Sequence, residues 1–297
     1  MKARLLLPVL FFLGGLWYFL RPAPQHFPQK DQEPWFVAEK PISPHPLPRV
    51  KQKPRAKVGA KNGEVQRRDE RDPQVIPFKV IDGLAVAFGD VILGTPEDET
   101  MQEGLFRIPT PNYWDKPEIP FAIDSNLPSP DRVKMAMRHI ADKTGVRFVP
   151  YDHQPDAIVF QVGSEHCLSV LGRQGGLQPI KIAADCGWTE TVHEILHSFG
   201  FIHEQSRSDR DDFVEVVWDK IEEPFRSQFE KLPEEFLGPA KGSSFDYQSV
   251  MLYGPTLFAQ VKGEVTLKSR TPSTITPSRN GLSTEDIRRV KRHFNLD

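Results

Sequence analysis

Residues 191–214 read TVHEILHSFGFIHEQSRSDRDDFV and hold three of the chain's nine histidines. His193 and His197 stand four residues apart. On an α-helix that spacing puts both imidazoles on one face, one turn apart, where they can share a metal ion. Glu194, beside the first histidine, can reach a water held by that metal. Gly200 can take the left-handed conformation that ends a helix, and the chain can then return His203 as a third nitrogen ligand. Three histidines with one open position describe catalytic rather than structural zinc. Plainer readings exist for each residue: a histidine is often a satisfied core or surface residue, and a charge-rich run is often a solvated helix face. The pattern H-E-x-x-H alone also occurs by chance in many helices. The glycine and the third histidine at these spacings favour the metal.

Such a site needs a scaffold, and the flanking sequence supplies its elements. In SPDRVKMAMRHIADKTG, Ser129 can cap a helix, Pro130 suits its first turn and Asp131 favours its positive end. Val133, Ala136, Met137, Ile140 and Ala141 make one apolar face, and Gly145 stops the helix. Strands are predicted at Ile119 and Phe121 to Ile123, in VRFVP and in AIVFQV. LQPIKIA alternates Leu177, Ile180 and Ile182 around Pro179, which suggests an edge strand able to bind a substrate backbone by strand addition. LSTEDIRRVKRHF reads as a last helix, with Ser283 and Asp286 placed like a capping box. Upstream, VIPFKVIDGLAVAFGDVILG alternates in strand fashion, and TPEDETMQEG looks exposed.

The longer string H-E-x-x-H-x-x-G-x-x-H resembles the metzincin clan of zinc peptidases. Phe201, Glu204, Arg207, Asp209, Arg210, Asp211 and Val214 narrow the resemblance to the astacin family. FDYQSVMLYG resembles that family's Met-turn, with Ser249, Met251 and Tyr253 in place; Leu252 stands where the family usually has histidine. GRQGGLQPIKIAADCG resembles the strand region before the zinc helix, and the likeness covers about residues 110–297. It implies an α+β fold: a twisted mixed sheet and the active-site helix in an upper lobe, and a mostly irregular lower lobe with a C-terminal helix. It also implies an endopeptidase with one Zn²⁺ on His193, His197 and His203, and Glu194 as the base that activates water. Tyr253 would be a fifth ligand at rest that later stabilises the oxyanion, Met251 an apolar floor, and Glu204 the anchor for the N-terminus made on maturation. Cys167 and Cys186 fall where one family disulfide would be, free thiols being the alternative. A second family disulfide is absent: Gly145 occupies one of its positions, and Asn295 or a neighbour the other.

The remaining sequence bounds the setting. With 38 basic against 40 acidic residues, nothing suggests nucleic acid as a partner. Lys2 and Arg4 precede an apolar run from Leu5 to Leu20, the grammar of an export signal or signal-anchor in 1–21. Proline-rich residues 22–72 read as a flexible linker. Residues 73–105 resemble an astacin propeptide, and 106–297 the catalytic domain, a minimal arrangement of the family. Such propeptides often carry F-x-G-D, whose aspartate displaces the catalytic water. Here Gly89 and Asp90 match, but Ala87 takes the phenylalanine position and Phe88 follows one place late. Asp90 is the candidate latency switch, and cleavage within about 95–110, for example at Arg107, would release it. The expected product is a monomer acting on proteins or peptides outside the cytoplasm, secreted or membrane-tethered (periplasmic in a Gram-negative bacterium). The alternatives are an inactive peptide-binding or adhesion module and zinc used for stability alone.

Overall fold

The structure is a computed structural model that describes residues 75–95, 101–102, 105–107 and 111–296, with backbone only at 75, 76, 101, 102 and 105–107. The signal or anchor of 1–21, the linker of 22–72 and most of TPEDETMQEG lie outside the described residues. The described residues belong to one compact unit. Among them, no helix is long and apolar enough to cross a membrane.

Thirteen strands and three α-helices are described: β1 (Val75–Pro77), β2 (Lys79–Ile81), β3 (Leu84–Ala87), β4 (Val91–Gly94), β5 (Met101–Gln102), β6 (Leu105–Arg107), β7 (Glu118–Ile123), α1 (Asp131–Thr144), β8 (Arg147–Pro150), β9 (Asp156–Val162), β10 (Leu168–Val170), β11 (Gly176–Ile182), α2 (Trp188–Phe199), β12 (Val214–Val216), β13 (Leu267–Ser269) and α3 (Thr284–Phe294). Eight strands form one mixed sheet in the order β2-β3-β4-β10-β11-β9-β7-β8. Between α2 and α3 the chain runs mostly through short 3-10 turns and the small β12–β13 ladder. This is the α+β arrangement expected, with the regular half first and the irregular half second.

Periodicity explains the regular half. The α1 face of Val133, Ala136, Met137 and Ile140 is fully buried against Ile119, Phe121, Phe148 and Phe160 of the sheet. Ala141, at the margin of that face, is only half-buried. Each fully buried large apolar side chain contributes roughly 1.5–3 kcal/mol. Val192, Ile195, Leu196 and Phe199 of α2 and Val290 and Phe294 of α3 complete the same core.

Two expectations are corrected. Ser129 does not cap α1: it has φ 53°, Pro130 occupies the N-cap position, and no side-chain cap bond forms. An N-cap serine needs extended backbone, and Ser129 at positive φ lacks it, so its hydroxyl caps nothing although Pro130 itself has helical angles. The LQPIKIA stretch, β11, is not an edge either. It pairs with β9 in parallel along its whole length and with β10 antiparallel at Lys181 and Ile180. Pro179 is tolerated because the β10 ladder stops short of it. The strand beyond β11 is β10, and its outer side is taken by β4 in parallel register, Val91 opposite Ser169 and Ile92 opposite Val170.

Cys167 and Cys186 are joined, with Cα atoms 6.4 Å apart, tying the start of β10 to the turn before α2. Closing this loop contributes about 3 kcal/mol in the chain-entropy model. At the position of the missing second bridge, the nearest atom to a Cβ built on Gly145 is Leu296 Cδ1, at 3.8 Å. Leu296 itself packs against the main core at this end of the chain.

Polar anchoring adds to it. Asp286 serves the predicted capping box, accepting from Ser283 N, and also reaches out of α3 to the Met-turn. Its carboxylate accepts from Ser249 Oγ at 2.7 Å and Val250 N at 3.0 Å while fully buried. Asp286→Ala orphans these donors and should cost roughly 2–4 kcal/mol in urea unfolding. A loss under about 0.5 kcal/mol, the range of ordinary surface substitutions, would show that the link carries no stability.

Candidate metal centre and active site

Helix α2 presents His193 and His197 one turn apart, with Glu194 next to His193. Its start is fixed by the Glu190 side chain, which accepts from Gly187 N at 3.0 Å. Its end is fixed by Gly200, at φ 99°. A Cβ there would lie 2.4 Å from the Tyr113 ring, so glycine is required by backbone and packing alike. Trp114 Nε1 donates to Ser198 O at 2.9 Å and Gly172 N to His197 O at 2.8 Å, which satisfies carbonyls of the last turn. The chain then turns through buried Phe201 and Ile202 and brings His203 back.

The three rings meet. His203 Nε2 lies 3.1 Å from His193 Nε2 and 3.3 Å from His197 Nε2. The other nitrogens are committed: His193 Nδ1 donates to Val250 O and His197 Nδ1 to Phe201 O, each at 2.8 Å. This pins both rings as Nδ1–H tautomers and turns their Nε2 lone pairs toward one point. Asp90 closes the group, with carboxylate oxygens 3.3 Å from each of the three Nε2 atoms. The four donor atoms lie within 4.8 Å of one another. Three imidazole nitrogens and a carboxylate, their lone pairs converging in a buried place, fit zinc. Burial pushes the His197 imidazole down to about 4, whereas for His193 burial is outweighed by the hydrogen bond and charge of Asp90, which raise it.

Glu194 is buried beside this group, and its Oε2 has no partner among the described residues. Burial, and then the charges of Asp90 and Glu190, push its carboxyl well above the usual carboxylate range. Burial opposes ionisation of Asp90 too, but His203 and His197 hold it well below that range.

Tyr253 lies against His203, ring centroids 4.9 Å apart. Its hydroxyl donates to Phe88 O at 2.9 Å and stands 2.9 Å from Oε1 of Gln228. It is therefore engaged with the 75–95 segment and the Gln228 side chain. Gly89, at φ 98°, lets that segment pass: a Cβ there would come within 2.6 Å of Gln228 Oε1 and 2.9 Å of the Tyr253 hydroxyl. Met251 is fully buried in the main core, and its carbonyl accepts from Glu204 N at 2.9 Å.

The charge run after His203 is scaffold rather than a solvated face. Arg207 is buried and grips Asp209 through two bonds of 2.8 Å. Arg210 is buried and donates to the Gln205 and Phe229 carbonyls. Glu204 accepts from Arg289 at 2.6 Å and from Asp246 N at 2.9 Å, with Arg207 at 3.5 Å. Burial pushes its carboxyl up, against the pull of Arg289 and Arg207. Arg289, Gln228 and the Met-turn role of Asp286 escape the sequence reading because nothing local marks them. A buried arginine on an amphipathic helix looks like any exposed one until its partner, 85 residues away, is placed beside it.

Comparison with known proteins agrees with the geometry. The family model for Astacin, a peptidase family, matches residues 107–295. The chain is 31% identical over 235 residues to Zinc metalloproteinase nas-4 of Caenorhabditis elegans, covering 75% of this chain and 74% of that protein. It is 33% identical over 220 residues to Meprin A subunit alpha of Mus musculus, covering 72% of this chain and 28% of that one. Over 185 residues it is 32% identical to Zinc metalloproteinase nas-13 of C. elegans, spanning 41% of that protein's length. Among solved structures it is similar to High choriolytic enzyme 1, a hatching enzyme zinc-protease from the medaka Oryzias latipes, with TM-score 0.57 and 31% identity over 62% of this chain and 95% of that one. With more than half its length matched and its three histidines converging on one point, the chain belongs to the astacin family of peptidases, whose cofactor is catalytic zinc.

Proposed function

We propose that the chain is a zinc-dependent endopeptidase, made as a latent precursor, that hydrolyses peptide bonds in proteins. The observation that carries this reading is the convergence of the His193, His197 and His203 Nε2 atoms beside buried Glu194, whose Oε2 has no hydrogen-bond partner among the described residues. His193, His197 and His203 would hold the zinc, which when bound would supply an acidified water and polarise the substrate carbonyl. Glu194 takes the proton of the attacking water and delivers it to the leaving nitrogen. Tyr253 donates to the developing oxyanion once its hydroxyl is free of the Phe88 carbonyl. Met251 packs beneath the site, and Glu204 with Arg289 steadies the chain just after His203.

Latency is supported by the same contacts. Asp90 stands at the three histidines where a substrate's water would sit, and β4 covers the β10 edge. In this reading 73–105 is the prosegment, 106–297 the catalytic domain, and 22–72 a tether behind an export signal or anchor. An exported location is supported by the disulfide, which persists in oxidising compartments. Arg107 lies in β6, opposite Val75 of β1, so cutting there requires that ladder to open.

Glu194→Gln should lower casein cleavage by roughly 10²–10⁴-fold while zinc content stays at wild-type level, and a chelator should abolish wild-type cleavage. Retained cleavage by the metal-loaded variant sinks the assignment. The unprocessed chain should be at least about tenfold less active than protein trimmed near residue 106, and Asp90→Ala should recover part of that difference. Equal activity of precursor and trimmed forms would end the latency reading.

A further inference from the structure

We infer that the pocket filled by Phe88 is a substrate subsite, selecting peptides with an aromatic or large aliphatic side chain within two residues of the scissile bond. This rests on the endopeptidase reading and deepens it. Phe88 lies two residues before Asp90, the residue seated among the three histidines. Its φ of 52° is a conformation that bulky residues rarely adopt, so something outside its own backbone holds it. Two contacts do so. Its carbonyl accepts from the Tyr253 hydroxyl at 2.9 Å. Its side chain is buried among Leu171, Ile202, Leu232, Phe236 and Leu237. A small remaining cavity between Phe88, Leu171, Ile202 and Leu232 reaches His203, so this apolar wall continues to the metal centre.

None of these lining side chains is charged, and Ser206, whose Oγ has no partner among the described residues, is the only polar one besides His203. When the 75–95 segment leaves, an apolar recess opens beside a ligand of the metal. A large apolar side chain of the substrate removes that recess from water. A charged side chain entering it would lose its hydration and meet no oppositely charged side chain in the lining. The recess thus favours one class of peptide and rejects the other.

The test uses full-length chain matured by limited proteolysis and loaded with zinc, acting on a peptide library with cleavage sites read by mass spectrometry. Phe, Tyr, Leu or Met should be enriched at one position within two residues of the cut, with kcat/KM for Phe at least about tenfold above that for Ala there. Leu232→Trp, which fills the recess, should lower this Phe/Ala ratio at least about fivefold, and the milder Leu232→Phe should lower it less. The ratio comes from a single preparation, so a reduced folded fraction does not alter it. As a binding readout, a synthetic 84–94 peptide carrying Phe88→Ala should inhibit at least about tenfold more weakly than the unaltered peptide. A flat or charged preference at those positions, an unchanged ratio in both variants, or equal inhibition by the two peptides would each overturn the subsite. Absence of cleavage of every peptide by the zinc-loaded, matured protein would instead bring down the endopeptidase reading itself.

Discussion

Two backbone carbonyls, Val250 O and Phe201 O, decide the chemistry of this molecule. By accepting the Nδ1 protons of His193 and His197 they fix tautomer and ring orientation, so the Nε2 lone pairs face one another across little more than 3 Å. Such an arrangement is repulsive by itself and becomes favourable only around a cation. Each carbonyl has its own support. Phe201 follows the glycine that ends α2, and Val250 sits in the Met-turn held by Asp286. The demands of one ion are thereby spread over two distant stretches of chain.

That dependence explains how an irregular half can hold a rigid site. Between α2 and α3 there is little regular secondary structure to satisfy backbone groups. Buried side chains do it instead: Arg210 on the Gln205 and Phe229 carbonyls, Arg207 on Ser243 O, and Arg289 on Ser244 O. Buried charges are costly unless paired, and each here has a carboxylate partner in Asp211, Asp209 or Glu204. Glu204 joins two of these arginines and directly follows a metal ligand, so the network that supports the lower half also steadies His203.

The 75–95 segment uses the sheet as well as the metal centre. Its strands β2, β3 and β4 extend the main sheet past β10, Phe88 fills an apolar recess, and Asp90 meets the histidines. Backbone pairing, apolar burial and charge act at three neighbouring places, which explains how an aromatic residue is held at positive φ. Phe88 stands one position away from the phenylalanine of the family pattern, and the structure shows that this displaced ring is packed rather than idle.

Much of the protein was legible in order of residues alone. Helical period gave the apolar face of α1, spacing gave the shared face of His193 and His197, and Gly200 marked the turn that returns His203. The pairing of Cys167 with Cys186 followed from family likeness and is present in the structure; Asp90, singled out by the same likeness, lies beside the three histidines. All of these are local, or carried by a dense motif. Strand order was not legible: β11 looked like an edge because it contains Pro179, yet pairing that depends on distant strands placed it inside the sheet. Ser129 caps nothing because its backbone is at positive φ, which no local pattern reveals. Sequence determined which groups could bind an ion and cleave a bond. Tertiary structure decided which lone pairs face that ion, which arginine meets Glu204 and what fills the recess beside His203, because each contact joins residues far apart in the chain and no local pattern encodes such a meeting.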